Sequence, residues 1–171
     1  MATDQIGNLP SGSNVFIDAN ILIYGLEGSS AECRTFLERC SREEIIGVTS
    51  FHIVGEVTHR LMCLEATKKG LTAKNKARDF LSKHPKAVMG LSGYWTDTER
   101  LLALNLLFVS VAEGTVRGAQ PERAGAGLLN NDSLLVACMR ECGLSFLASN
   151  DSAFDRVSNL IVFRPSDVRT P

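Results

Sequence analysis

The chain has 171 residues, with eighteen basic and nineteen acidic side chains and a net charge of −1. That length fits one domain with a core large enough to need no staples. A composition of 44% apolar and 22% charged residues excludes collagen, coiled coil and wholesale disorder. The neutral balance excludes a molecule that is basic all over, so nucleic-acid binding would have to come from a local patch.

Residues 1–13, MATDQIGNLPSGS, carry neither a basic head nor an apolar run. They are expected as a flexible lead-in and not a secretory signal, with the folded domain spanning 14–171. Val15, Phe16 and Ile17 form a short apolar run that reads as a buried strand ending at Asp18. Residues 20–24 continue apolar into a helix, and apolar positions 33, 36, 37 and 40 give residues 31–40 helical spacing. A second strand is predicted at 45–48, followed by Ser50 as the N-cap of a helix over 51–63.

Residues 68–86 hold seven basic side chains against one acid, Asp79. A helix is predicted over 72–81, ended by Pro85, and another over 96–107 with Asp97 and Glu99 in its first turn. Residues 101–112 are uncharged, but twelve residues fall short of the roughly 20 a membrane span needs. A third strand is predicted at 108–111. Residues 114–127 contain four glycines and Pro121, which predicts a loop or a short, poor helix. Asn130 or Asn131 caps the next helix, which runs to Glu141 and stops at Gly143. Strands follow at 144–148 and 160–163. Continuously apolar strands alternating with helices predict an α/β fold: a single-domain, doubly wound parallel sheet flanked by helices. The cysteines at 33, 40, 63, 138 and 142 are odd in number and form no CxxC pair. They fit small buried hydrophobes in a reduced, cytoplasmic protein.

In an open parallel sheet, ligands bind beyond the carboxyl ends of the strands. Asp18 ends the first strand, and Asp151 follows the fourth in Ala148–Ser149–Asn150–Asp151. Asp132 falls in the first turn of the helix that feeds the fourth strand, and Glu56 about two turns into the helix after the second. Taken singly, each has an ordinary explanation. Asp18 can cap a helix, Glu56 can pair with Arg60, Asp132 can meet a helix dipole and Asp151 can serve a turn. Taken together, carboxylates at one rim repel each other and call for a compensating cation. Oxygen-only ligation suits Mg²⁺ or Mn²⁺, which activate water and neutralise phosphate charge. That is the chemistry of phosphodiester hydrolysis.

The arrangement resembles the PIN domain, especially the compact VapC-type ribonuclease toxins. The resemblance rests on IDANILIY at 17–24, Glu56 in TSFHIVGEVTHRL, Asp132 in NNDSLLVA and SNDSAFDRV at 149–157. It implies a metal-dependent endoribonuclease whose catalytic, metal-holding acids are Asp18, Glu56, Asp132 and Asp151, with Asp155 a further, weaker ligand. Asn20 and Ser149 match polar positions that orient the acids or a water. The resemblance also implies Mg²⁺ or Mn²⁺ as cofactor, an RNA substrate, a homodimer through the helices around 56–95, and an antitoxin partner. This chain is longer than the compact toxins, with the excess around 65–100. The rival reading is a non-catalytic PIN-like module that binds RNA or protein.

His52, Glu56 and His59 share a helical face, but HxxxExxH is not the zincin spacing. The basic stretch, with Lys68, Lys69, Lys74, Lys76 and Arg78, reads either as a solvated face or as a phosphate-tracking patch beside the acids. There is no GxSxG, P-loop or GxGxxG motif.

Overall fold

A computed structural model describes residues 4–168. The strands are β1 (Asp4–Gln5), β2 (Asn14–Ile17), β3 (Ile46–Ser50), β4 (Leu107–Val109), β5 (Phe146–Ala148) and β6 (Ile161–Arg164). They form one sheet in the order β1-β6-β5-β2-β3-β4, every neighbouring pair parallel. From β2 the chain steps outward to β3 and β4, then returns past them to lay β5 on the other side of β2. This reversal makes the sheet doubly wound, as expected, and puts its switch point between β2 and β5.

The helices are α1 (Ala19–Glu27), α2 (Ala31–Ser41), α3 (Phe51–Lys68), α4 (Ala77–Lys83), α5 (Pro85–Met89), α6 (Gly93–Leu102), α7 (Glu113–Ala126) and α8 (Asn130–Glu141). Local chemistry sets their ends. The Ser30 hydroxyl accepts from the Cys33 amide at 2.9 Å and opens α2. α1 packs tightly on α2, because a Cβ at Gly25 would come within 2.5 Å of Leu37. α3 outruns its predicted end by five residues, because Ala66 is wholly buried. Pro85 does more than end a helix: it sits in the first turn of α5, where its missing N–H costs nothing.

The main core holds Val15, Phe16 and Ile17 of β2, Phe36 of α2, Ile53 and Val57 of α3, and Leu147 of β5. A separate small core unites Ala66, Leu81 and Leu91, with Met62, Phe80 and Val88 packed on it. The excess length around 65–100 is therefore a helical annex on the C-terminal half of α3. Cys33, Cys40 and Cys138 are buried, Cys63 is half-buried and Cys142 is exposed, all as free thiols. Burial pushes the Cys40 thiol up to about 12, consistent with its role as core filling.

Two differences from expectation have clear causes. Residues 113–126 form a regular helix despite Pro121 and the glycines, because α7 lies close along α8. Gly118 brings the two backbones near enough that its Cβ would stand 3.8 Å from that of Ala137. The Thr115 hydroxyl donates across to Glu141 at 2.8 Å. Helix α6 starts at Gly93, not 96, because its free amides have a cap on another element. Glu65 of α3 accepts from the Ser92 amide at 3.1 Å and the Tyr94 amide at 2.8 Å. In the segment expected as a lead-in, β1 pairs with β6, while Ile6 and Leu9 are buried in the main core. Among the described residues, no helix is long and apolar enough to cross a membrane.

Candidate active site

The carboxyl ends of β2 and β5 lie side by side, and the polar residues that follow them interlock. Asp18 leaves β2, its amide donating to the Ala148 carbonyl of β5 at 3.0 Å. Its Oδ1 accepts from the Ala19 amide at 2.6 Å as α1 begins. Its Oδ2 accepts from the Ser149 hydroxyl at 2.6 Å and from the Asn20 amide group at 2.5 Å. Ser149 is fully buried, and its Oγ also accepts from the Asp151 amide at 3.1 Å. One hydroxyl thus ties Asp18, at the end of one strand, to the start of Asp151 on the next. The Asn20 Oδ1 accepts from the Asn150 amide at 3.0 Å, which closes the junction from the other side. Asp151 caps the helical turn at 152–156 by accepting from the Ala153 amide at 2.8 Å.

Glu56 and Asp132 border this junction from α3 and from the first turn of α8. Asn131 donates to Glu56 Oε2 at 2.9 Å, and Arg60 stands 3.7 Å from Oε1. The acids feel one another. Burial lifts the Asp18 carboxyl from 3.8 to about 6; bonds from Ser149 and Ala19 oppose the rise, and the charges of Glu56 and Asp132 add to it. Burial also lifts Asp132 to about 6, helped by the charges of Asp151 and Glu56 and opposed by Arg156. Each member of the quartet is therefore electrostatically coupled to at least one other. Among the described residues, no three His, Cys, Asp or Glu side chains close together as a ready metal cage would. The donor chemistry, all carboxylate oxygen under mutual repulsion, fits a hard divalent ion; the side chains are not drawn into a closed shell around one.

Other residues singled out in the sequence have partners of their own. Asp155 accepts from Arg164 at 2.8 Å and lines a separate hollow with Gln5, Ser152 and Ser166. Lys68 pairs with Glu27 at 2.9 Å and Lys69 with Glu65 at 2.7 Å, at the end of α3 remote from Glu56. His59 is exposed. His52 is half-buried, with Nδ1 2.8 Å from the Ser50 hydroxyl; its Nε2 is enclosed with no hydrogen-bond partner among the described residues. Burial lowers the His52 imidazole, against the raising effects of the Asn131 backbone and the Glu56 charge. Asn131 and the buried Asn150 were missed by sequence reasoning. The available signal was their place beside an acid at a strand end or helix start, where polar side chains survive burial only if bonded.

Acids gathered at the switch point of a doubly wound parallel sheet define an α/β domain with a carboxylate-lined site. The chain belongs to the PIN domain family, whose model matches residues 15–160. Two solved structures share the fold. The toxin–antitoxin protein VapBC2 of Rickettsia felis, solved with a DNA fragment of its promoter, is 15% identical with a TM-score of 0.58, over 88% of this chain and 98% of that one. A Klebsiella pneumoniae toxin–antitoxin complex is 16% identical with a TM-score of 0.55, over 86% of this chain and 95% of that one. A search of curated proteins returns no match.

Proposed function

We propose that the protein is a metal-dependent endoribonuclease, the toxin of a toxin–antitoxin pair. The observation that carries this reading is the Ser149 hydroxyl joining Asp18 and Asp151 across β2 and β5, with Glu56 and Asp132 close enough to shift their neighbours' protonation. Family membership and the toxin–antitoxin context of both structural relatives support it.

Asp18, Glu56, Asp132 and Asp151 would hold Mg²⁺ or Mn²⁺, which when bound supplies positive charge against phosphate and an activated water. The chain's own part is orientation. Asn20 and Ser149 lock the Asp18 carboxylate in one rotamer through two hydrogen bonds to the same oxygen. Asn131 and Arg60 hold Glu56, whose position suits it to orient a water. In-line attack by water at phosphorus would leave 5′-phosphate and 3′-hydroxyl ends, with no protein nucleophile. A homodimer through the helices within 56–95 belongs to the same reading; Met89 is 85% exposed there and Trp95 50%, which supplies apolar surface for a contact.

The non-catalytic module stays as the second reading, because the carboxylates do not close into a group of three. Cleavage of single-stranded RNA with Mn²⁺ or Mg²⁺, and its loss with EDTA, separates the two. Asp18→Asn is expected to cut the rate at least about 100-fold while circular dichroism stays unchanged. Full activity in that variant, or activity indifferent to EDTA, would defeat the proposal.

A further inference from the structure

Carboxylates repel a polyanion, so a site built from four of them needs fixed positive charge nearby to admit a phosphate backbone. The lysine-rich stretch is one source. Its first two members, however, are neutralised by Glu27 and Glu65. They also lie about 18 Å from Glu56 along α3, at 1.5 Å per residue.

Three arginines stand closer. Arg60 is one turn beyond Glu56 on α3 and faces it at 3.7 Å. Arg123 on α7 donates to Asn130 Oδ1 at 2.9 Å, and Asn130 in turn contacts Asn131, the residue that holds Glu56. Arg156, in the turn after Asp151, reaches the Gly127 carbonyl at 3.5 Å, and its charge is felt by Asp132. Three elements thus send guanidinium groups to the border of one site, around residues 127–131 and the first turn of α8. Among the described residues neither Arg123 nor Arg156 is in an ion pair. Their hydrogen-bond partners are a neutral amide and a carbonyl, which fix the side chains; Arg156 also lies in the field of Asp132 without forming a direct ion pair. A guanidinium so placed offers a planar fork that matches a phosphate's oxygens.

We infer that Arg60, Arg123 and Arg156 form the rim that grips the phosphates of single-stranded RNA, in place of the lysines at 68 and 69. The inference rests on the ribonuclease reading for its choice of ligand. Arg123 and Arg156 are the main contacts, because Arg60 shares its charge with Glu56.

The test is fluorescence anisotropy with a labelled single-stranded RNA, on Asp18→Asn protein without divalent ions, between 50 and 200 mM salt. Arg123→Gln and Arg156→Gln are each expected to weaken binding and to flatten the slope of log K against log salt by about 0.7, the value for one lost phosphate contact on a single strand. The double variant Lys68→Gln/Lys69→Gln is expected to leave the slope unchanged. An unchanged slope in both arginine variants, a loss confined to the lysine pair, or no RNA binding by the parent would each overturn the rim. RNA cleavage by the unmodified protein, with slopes indifferent to the arginines, would defeat the rim alone. Arginine-dependent binding with no metal-dependent cleavage would defeat the nuclease reading and leave the rim standing.

Discussion

Asp18 is held in place by hydrogen bonds yet disfavoured as an anion by its surroundings. Its folded-state value of about 6 exceeds the ordinary 3.8, so ionisation destabilises the fold. The destabilisation is absent below pH 3.8 and is complete once the pH has risen past 6. Neutralising the side chain should therefore stabilise the protein at high pH only. In metal-free buffer, Asp18→Asn is expected to gain about 1–2 kcal/mol at pH 8. The gain is smaller than the full shift because an amide presents a donor where Asn20 and Ser149 both donate to Oδ2. Thermal melts at pH 8 and pH 4 check this; the advantage should vanish at pH 4, and an equal advantage at both would contradict it. At this scale the places of Asp18 and Asp151 beside each other were legible, because a charge following an apolar run stands out in the sequence; Asp132 was read from its place in the first turn of a helix. Glu56 was not legible alone, since an acid two turns into an 18-residue helix serves equally well as a surface partner of Arg60, four residues on. Arg123 and Arg156 escaped notice because the reach of a long side chain across elements leaves no local pattern. Asp155 acquired its partner from Arg164, a residue just past the apolar run predicted as the last strand.

Helix ends show how one element's boundary can be written into another. Burial pushes the Glu65 carboxyl up, but bonds from Lys69 and from the backbone of Tyr94, Ser92 and Gly93 outweigh it and hold the group at about 2, below its ordinary 4.5. A depressed acid adds stability that is full above pH 4.5 and disappears as the pH falls toward 2. Glu65→Gln is expected to cost about 1–3 kcal/mol at pH 7, by leaving α6's first amides with a weaker acceptor. Urea denaturation should show the gap closing below pH 4; equal stability at pH 7 would refute the cap. No pattern within 93–102 announces this start, because its acceptor lies 27 residues away. Helix α7 teaches the converse. Its glycines argue for a loop by propensity, yet the same small residues allow the close approach to α8 that makes the helix stable. Strands β2 to β6, by contrast, were readable, since short apolar runs bounded by polar or turn residues mark them in the sequence; the polar, exposed β1 was not.

The whole molecule is closed at one edge by its own first residues. β1 covers the outer side of β6, and Ile6 and Leu9 plug the core beneath. Two residues of strand are too short to show in a sequence, and a segment without periodicity gives no hint of being packed. Each buried side chain of this size contributes about 1.5–3 kcal/mol. Deleting residues through Leu9 is expected to lower Tm by several degrees, at roughly 2–4 °C per kcal/mol. It also uncovers the hydrogen-bonding edge of β6, so light scattering should reveal concentration-dependent association. An unaltered Tm and a monodisperse truncated protein would show that the segment is dispensable.

The seam between β2 and β5 joins residues 131 positions apart along the chain. On the ribonuclease reading, this spacing delays assembly of the acidic centre until β5 has been made. A nascent polypeptide that has already exposed β2 and α3 still lacks Ser149 and Asp151, so its acidic centre is incomplete. Only when residues past 151 have left the exit tunnel can the four acids meet, and products terminated before Ser149 lack the seam between β2 and β5.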